Sequence, residues 1–196
     1  MKISRYLAVT SFAFFISSTL FAQRDEINNN LDALLIQGDY NEVVTKCAEL
    51  VKSDSLNPET YYKLGLAYQN LMQTDKSIDA FSMAIKINPD IKKYNFSLAK
   101  YYFNLGKSKS ALPIFINLCN QDSTNWIYSY FLTEIYMQKG LYSNAAPIYK
   151  RFYLSDTTNN TYIDKYAFCH LRMENYDTAI IFYEKSIKQN NRNISA

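Results

Sequence analysis

One set of residue types recurs along this chain every 34 residues. In block 58–91 the recurring places are held by Tyr61, Leu64, Gly65, Tyr68, Ser77, Phe81, Ala84 and Pro89. Block 24–57 supplies Ile27, Leu31, Leu34, Gly38, Val43, Cys47 and Leu50 in the same frame. Block 92–125 supplies Leu98, Ala99, Tyr102, Gly106, Ala111, Phe115 and Leu118. Block 126–159 has Leu132, Tyr136, Gly140, Ala145, Tyr149 and Phe152, and block 160–193 has Tyr166, Ala167, His170, Ala179, Tyr183 and Ser186. The five blocks cover 5 × 34 = 170 residues with no insertion or deletion. A phase held over that length demands a repeated structural unit.

Within a block the spacing is helical. The fourth, seventh, eighth and eleventh places share one side of a first helix, A, because residues three and four apart lie on one face. The twentieth, twenty-fourth and twenty-seventh places do the same on a second helix, B. Small residues at the eighth and twentieth places allow A and B to approach closely. Gly38, Gly106 and Gly140 all fall at the fifteenth place, where helix A must stop and the chain must turn. Pro58 and Pro89 mark turns between blocks. Pro113 and Pro147 share the twenty-second place and are expected near the start of helix B, where a missing N–H costs least. Asp54-Ser55, Asp122-Ser123 and Asp156-Thr157 recur near the block ends as turn and capping residues.

This pattern resembles the tetratricopeptide repeat, a helix-turn-helix unit of the same length. The resemblance implies an all-α fold: a right-handed superhelical solenoid of antiparallel helix pairs, with repeats at 24–57, 58–91, 92–125, 126–159 and 160–193. A single pair cannot cover its own apolar face, so pairs stack and bury a continuous core. The resemblance also implies a protein-binding scaffold whose concave groove is lined by helix A. Carried over to this chain, the groove positions give Tyr62, Leu66, Gln69, Lys93, Phe96, Lys100, Phe103, Tyr130, Glu134 and Met137. Ile127, Phe168 and Leu171 occupy equivalent places. Aromatic and apolar residues there favour an apolar or extended peptide segment of a partner protein. Tyr62 and Phe96 admit a second reading, packing on neighbouring helices. Some family members clamp a carboxylate. The places that would do so hold Asn28, Asp32, Lys63, Lys93 and Ser97, of which only Lys93 matches, and Asp32 would repel the ligand.

Residues 1–22 fall outside the repeats. Lys2 and Arg5 precede an uncharged run from Tyr6 to Phe21, and Ala22-Gln23 leads into charged sequence. This resembles a signal peptide cleaved after Ala22 and implies export to the periplasm or cell envelope. An uncleaved membrane anchor competes with it, because Leu20 is larger than the usual residue three before a cut. Past the leader, 21 − 2 = 19 Lys and Arg face 18 Asp and Glu. A balance so close to neutral provides no basic face for nucleic acid and no polybasic patch for anionic lipid.

No catalytic constellation is expected. His170 is the only histidine, so neither a triad nor a histidine-based metal cluster can be assembled. Cys47, Cys119 and Cys169 are unspaced and fall in different blocks, which suits buried small residues rather than a metal site. A Cys119–Cys169 bridge is the one pairing the block order leaves open. No cofactor loop is present, and the chain reads as a non-enzyme. After block 160–193 only a tail, residues 194–196, remains. A solenoid needs a polar cap at such an end, so Ile180, Tyr183 and Ile187 are expected to leave apolar surface open. That surface implies self-association or docking there, or continuation of the chain into a longer protein. The alternative to groove binding is thus a membrane-anchored or self-associating adaptor working through this face.

Overall fold

A computed structural model of the chain describes residues 26–194. The expected leader, residues 1–22, and the last two residues lie outside them. The described residues form ten helices and no strand. Helix α1 covers 26–37. It is followed by α2 (Tyr40–Ser53), α3 (Pro58–Asn70), α4 (Thr74–Ile87), α5 (Lys92–Asn104), α6 (Ser108–Gln121), α7 (Trp126–Gln138), α8 (Tyr142–Ser155), α9 (Asn160–Arg172) and α10 (Tyr176–Ile194). From α3 onward every A helix begins 34 residues after the last, at Pro58, Lys92, Trp126 and Asn160, and the B helices keep the same step. The chain divides into two compact units, before and after the Tyr94–Asn95 bond, within the first turn of α5.

The turns that set the period are built from a few polar side chains. Asn57, Asn125 and Asn159 cap the A helices, accepting from the backbone N–H of Glu59, Ile127 and Thr161 at 3.0, 3.1 and 3.1 Å. Three residues earlier, Asp54 and Asp156 accept from the N–H of Leu56 and Thr158 at 3.2 and 3.1 Å. Asp122 accepts instead from the Thr124 hydroxyl at 2.9 Å. The A-to-B turn follows a different rule. Gly38, Gly106 and Gly140 have φ of 88, 70 and 70°, and the same place in the other two blocks is left-handed without glycine, Met72 at 57° and Glu174 at 62°. The repeat therefore imposes the conformation, and glycine only relieves its cost. Pro113 and Pro147 depart from expectation. Each is the sixth residue of its B helix, past the first turn, so an intrahelical bond is lost in α6 and in α8. Both prolines face solvent, where water can take up the freed carbonyl.

Packing in the first unit, described from 26 to 94, centres on Leu31, Leu34, Val43, Cys47 and Ala67, with Val44, Leu50 and Leu64 against them. Helices α3 and α4 meet at Gly65. A Cβ there would lie 2.6 Å from the Phe81 ring, and the Ser77 hydroxyl donates to the Gly65 carbonyl at 2.9 Å. In the second unit Ala99, Ala111, Phe115, Leu118, Leu132 and Ile135 form one cluster. Ala145, Ala146, Tyr149, Phe152, Tyr166 and Cys169 form another. Each cluster draws on a B helix and the A helix that follows it, α6 with α7 and α8 with α9.

Two substitutions test these points by urea denaturation. Gly65→Ala should lower stability by about 1–3 kcal/mol, the usual cost of overpacking a closed contact. Met72→Gly should raise it by about 0.5–1 kcal/mol, since relief of the left-handed backbone outweighs the added freedom of the unfolded chain. A Met72→Gly variant less stable than wild type would refute the strain at that turn.

Candidate functional site

The residues expected to line the A-helix face behave differently in the two units. In the first, Tyr62 is half-buried, its ring 5.9 Å from Phe81 and 5.1 Å from Tyr94. Leu66 and Gln69 are half-buried as well. Lys93 donates to Glu59 at 2.9 Å and lies 4.9 Å over the Tyr62 ring. Tyr94 donates to the other carboxylate oxygen of Glu59 at 2.8 Å. Lys63 is only 2% exposed, bonded to Asp32 and to the Asn28 carbonyl. Both lysines that could have met a ligand carboxylate are thus held by the chain's own acids.

In the second unit Phe96 is half-buried as well. Its ring contacts Phe115, Tyr128 and Phe131 with centroids 6.2, 5.3 and 5.8 Å away, and Phe103 leans on Phe131 at 5.2 Å. Tyr62 and Phe96 both pack on neighbouring rings while keeping part of their surface exposed. Lys100 is exposed. Glu134 joins three elements: it accepts from the Lys165 ammonium at 2.8 Å and from the Tyr149 hydroxyl at 2.9 Å, tying α7 to α9 and α8. Asp32–Lys63 and Glu134–Lys165 are the same contact in two places. In each, the ninth place of one block meets the sixth place of the next, 31 positions on.

Besides Lys100, apolar side chains stay open on this face. On α7, Ile127 and Tyr130 are 36% and 40% exposed, and Met137, half-buried, continues the same face. On α9, Phe168 and Leu171 are 38% and 41% exposed. Trp126, at the head of α7, is more open still and had no place in the carried-over pattern. Its position as the first residue after the Asn125 cap was the signal, because a side chain there precedes the packed turns. The Phe168 ring is anchored from one side by Tyr142, 5.9 Å away, over which the Arg172 guanidinium sits.

The titratable groups are arranged for packing. Burial pushes the Cys47 thiol up to about 11, partly countered by Lys63. Burial likewise pushes Cys169 up to about 11, partly countered by Lys165. Cys119 is raised as well, mainly by burial. All three cysteines are free, including the Cys119 and Cys169 considered as a pair. His170 packs edge-on to Tyr166 at 4.6 Å, and burial, with Lys150 nearby, lowers its pKa. The Tyr149 hydroxyl is held far above its ordinary range by burial and by the Glu134 charge. Among the described residues no group of three His, Cys, Asp or Glu could hold a metal, and no helix is long and apolar enough to cross a membrane.

Comparison with known proteins agrees with this architecture. The tetratricopeptide-repeat family profile matches residues 58–91, and a second profile of the same description matches 164–193. No curated protein matches the chain in sequence. Among solved structures, MamA from Desulfovibrio magneticus RS-1 is similar at a TM-score of 0.67 and 17% identity, over 85% of this chain and 94% of that one. A MamA RS-1 double mutant gives 0.68 and 18%, over 87% and 96%. Another crystal structure of MamA protein gives 0.69 and 15%, over 87% and 95%. At these identities the likeness is one of fold.

The Glu134 junction gives a direct test. Glu134→Ala leaves the buried Tyr149 hydroxyl without its acceptor, and should cost about 1–3 kcal/mol by chemical denaturation. Adding Tyr149→Phe should recover part of that loss, because the orphaned hydroxyl is then gone. Strictly additive losses in the double variant would show that the two side chains are not coupled.

Proposed function

We propose that this tetratricopeptide-repeat protein is an interaction scaffold that holds an apolar segment of a partner protein against its A helices. The observation that carries the proposal is the row Ile127, Tyr130, Phe168 and Leu171, left solvent-exposed on α7 and α9 while the neighbouring rings are packed away. Exposed aromatic and aliphatic anchors in a row are what a partner segment can desolvate. Lys93 and Glu134, expected in the groove, support it indirectly, since their charges are spent within the fold. The ligand is therefore read as apolar rather than acidic.

The working site is Ile127, Tyr130, Met137, Phe168 and Leu171, with Lys100 as an exposed cation on α5. Phe96 and Phe103 pack against Phe131 of α7 beside it. The organisation is read as five repeats over 24–193, on the strength of the constant helix step. Export to the periplasm or envelope rests on the leader-like run ending at Ala22. Assembly of an envelope complex follows from those two readings together. The protein is read as a non-enzyme, with protonated, buried thiols and one half-buried histidine.

Crosslinking and pull-down from the native envelope tests this, with wild type beside Tyr130→Ser/Phe168→Ser. Both side chains are partly exposed, so the variant should fold normally by circular dichroism. Specific partners should fall about tenfold or more in yield, as expected for loss of two anchor residues. An unchanged partner set would remove the A-helix face as the binding site.

A further inference from the structure

The ninth place is charged in three of the five blocks, and it is not satisfied in the same way in all three. Asp32 and Glu134 hold it in blocks 24–57 and 126–159, and each meets a lysine at the sixth place of the next block, Lys63 and Lys165. In block 92–125 the sign is reversed. The ninth place there is Lys100, and the sixth place of the next block is Phe131. At this step the repeat frame supplies an aromatic ring where a counter-charge stands elsewhere.

Other acids of the second unit do not take its place. No Asp or Glu occurs between Asp90 and Asp122, so α5 and α6 contribute none. Asp122 accepts from the Thr124 hydroxyl in the turn before α7. Glu134, the one acid of α7 and α8, is committed to Lys165 and Tyr149. Asp164 lies on α9, and α7 stands between α9 and α5: Phe131 of α7 meets Phe96 and Phe103 of α5, while Glu134 of α7 meets Lys165 of α9. Asp156, Glu174, Asp177 and Glu184 belong to later turns and to α10. Lys100 is exposed. Beside it the Phe131 ring stacks on Phe115 at 5.2 Å and meets Phe103 and Tyr130 at 5.2 and 5.5 Å. The ammonium thus borders an apolar surface, next to the exposed Ile127 and Tyr130.

We propose that the apolar segment held on the A helices carries one acidic side chain, Asp or Glu, which pairs with Lys100 while its apolar neighbours rest on Ile127 and Tyr130. The inference rests on the A-helix reading given above and refines the chemistry of its ligand. A segment laid on this face removes water from Lys100, and an ammonium losing water needs a counter-charge. Formed against aromatic rings, the pair is screened less than in open solvent. One acid is expected and not a run of them, because Lys63 and Lys93 are already held by Asp32 and Glu59. A side chain is expected and not a chain end. The two oxygens of a terminal carboxylate call for several donors, and the ninth place of α5 offers one. Lys100 also lies outside the places of the carboxylate clamp considered from the sequence.

Selection from a library of short random peptides, displayed with both ends fused so that no free terminus is offered, tests the proposal. Wild type should enrich apolar sequences holding a single Asp or Glu, and Lys100→Glu should enrich Lys or Arg at that place. Lys100 is exposed, so the variant should keep the helicity of wild type by circular dichroism. Synthetic peptides from the wild-type selection, with amidated ends, should bind Lys100→Glu about tenfold or more weakly by fluorescence anisotropy. Replacing their acid by Lys should restore binding to that variant. Enriched sequences without an acid, equal affinity for wild type and Lys100→Glu, or failure of the charge exchange to restore binding would each overturn the pairing and leave the A-helix face standing. No enrichment at all, or peptides that bind Tyr130→Ser/Phe168→Ser as tightly as wild type, would remove the face and the pairing together.

Discussion

The fold depends on burial passed from one helix pair to the next. The B helices α2, α6 and α8 each present an apolar stripe that the following A helix helps to cover. Phe115 and Tyr149, each almost wholly buried, are sealed in this way by α7 and α9. Burial of one large side chain contributes about 1.5–3 kcal/mol, so removing a neighbouring pair would expose several such contributions at once. The close approach of α3 and α4 at Gly65 and the cross-repeat ion pairs are refinements on that scheme. They set distance and register, whereas apolar burial provides the driving force.

Polar groups serve geometry here. Asn57, Asn125 and Asn159 close α3, α7 and α9, and the aspartates three residues before them close the turns. Asp32–Lys63 and Glu134–Lys165 then hold successive A helices side by side. Lys63 illustrates the cost. A buried ammonium is tolerated because a carboxylate and a carbonyl both reach it. With its ammonium committed in this way, the place is lost to ligand binding.

Much of this was legible in the sequence. A period of constant length locates the helices because each packing place must return to the same side of the next unit. Met72 and Glu174 were not legible as turn residues, since the strained conformation comes from the frame and not from their own preference. Pro113 and Pro147 were placed a turn too early because the twenty-second place was counted as the start of helix B. Tyr62 and Phe96 could not be assigned to groove or core, because which side of an A helix a ring turns to depends on neighbours a repeat away. The Glu134–Lys165 tie escaped for the same reason. It joins places 9 and 6 of different blocks, a relation invisible inside either one. The family profile matches 58–91 and 164–193, yet α6 to α8 keep the same step. Geometry here persists where residue identity has drifted, as at Thr133, which stands where Gly65 and Ala99 stand in other blocks.

The carboxylates that hold Lys63, Lys93 and Lys165 have a further consequence, for kinetics. Charges cancelled at contact distance project little field into solvent beyond a Debye length of about 8 Å. Those pairs would give a partner approaching the A helices little long-range guidance, leaving any steering to exposed charges such as Lys100. With so few charges left to act, its arrival would proceed near the unsteered rate, about 10⁵–10⁶ M⁻¹ s⁻¹, with a weak dependence on ionic strength. Selectivity would then reside in how long the apolar segment stays, not in how quickly it arrives.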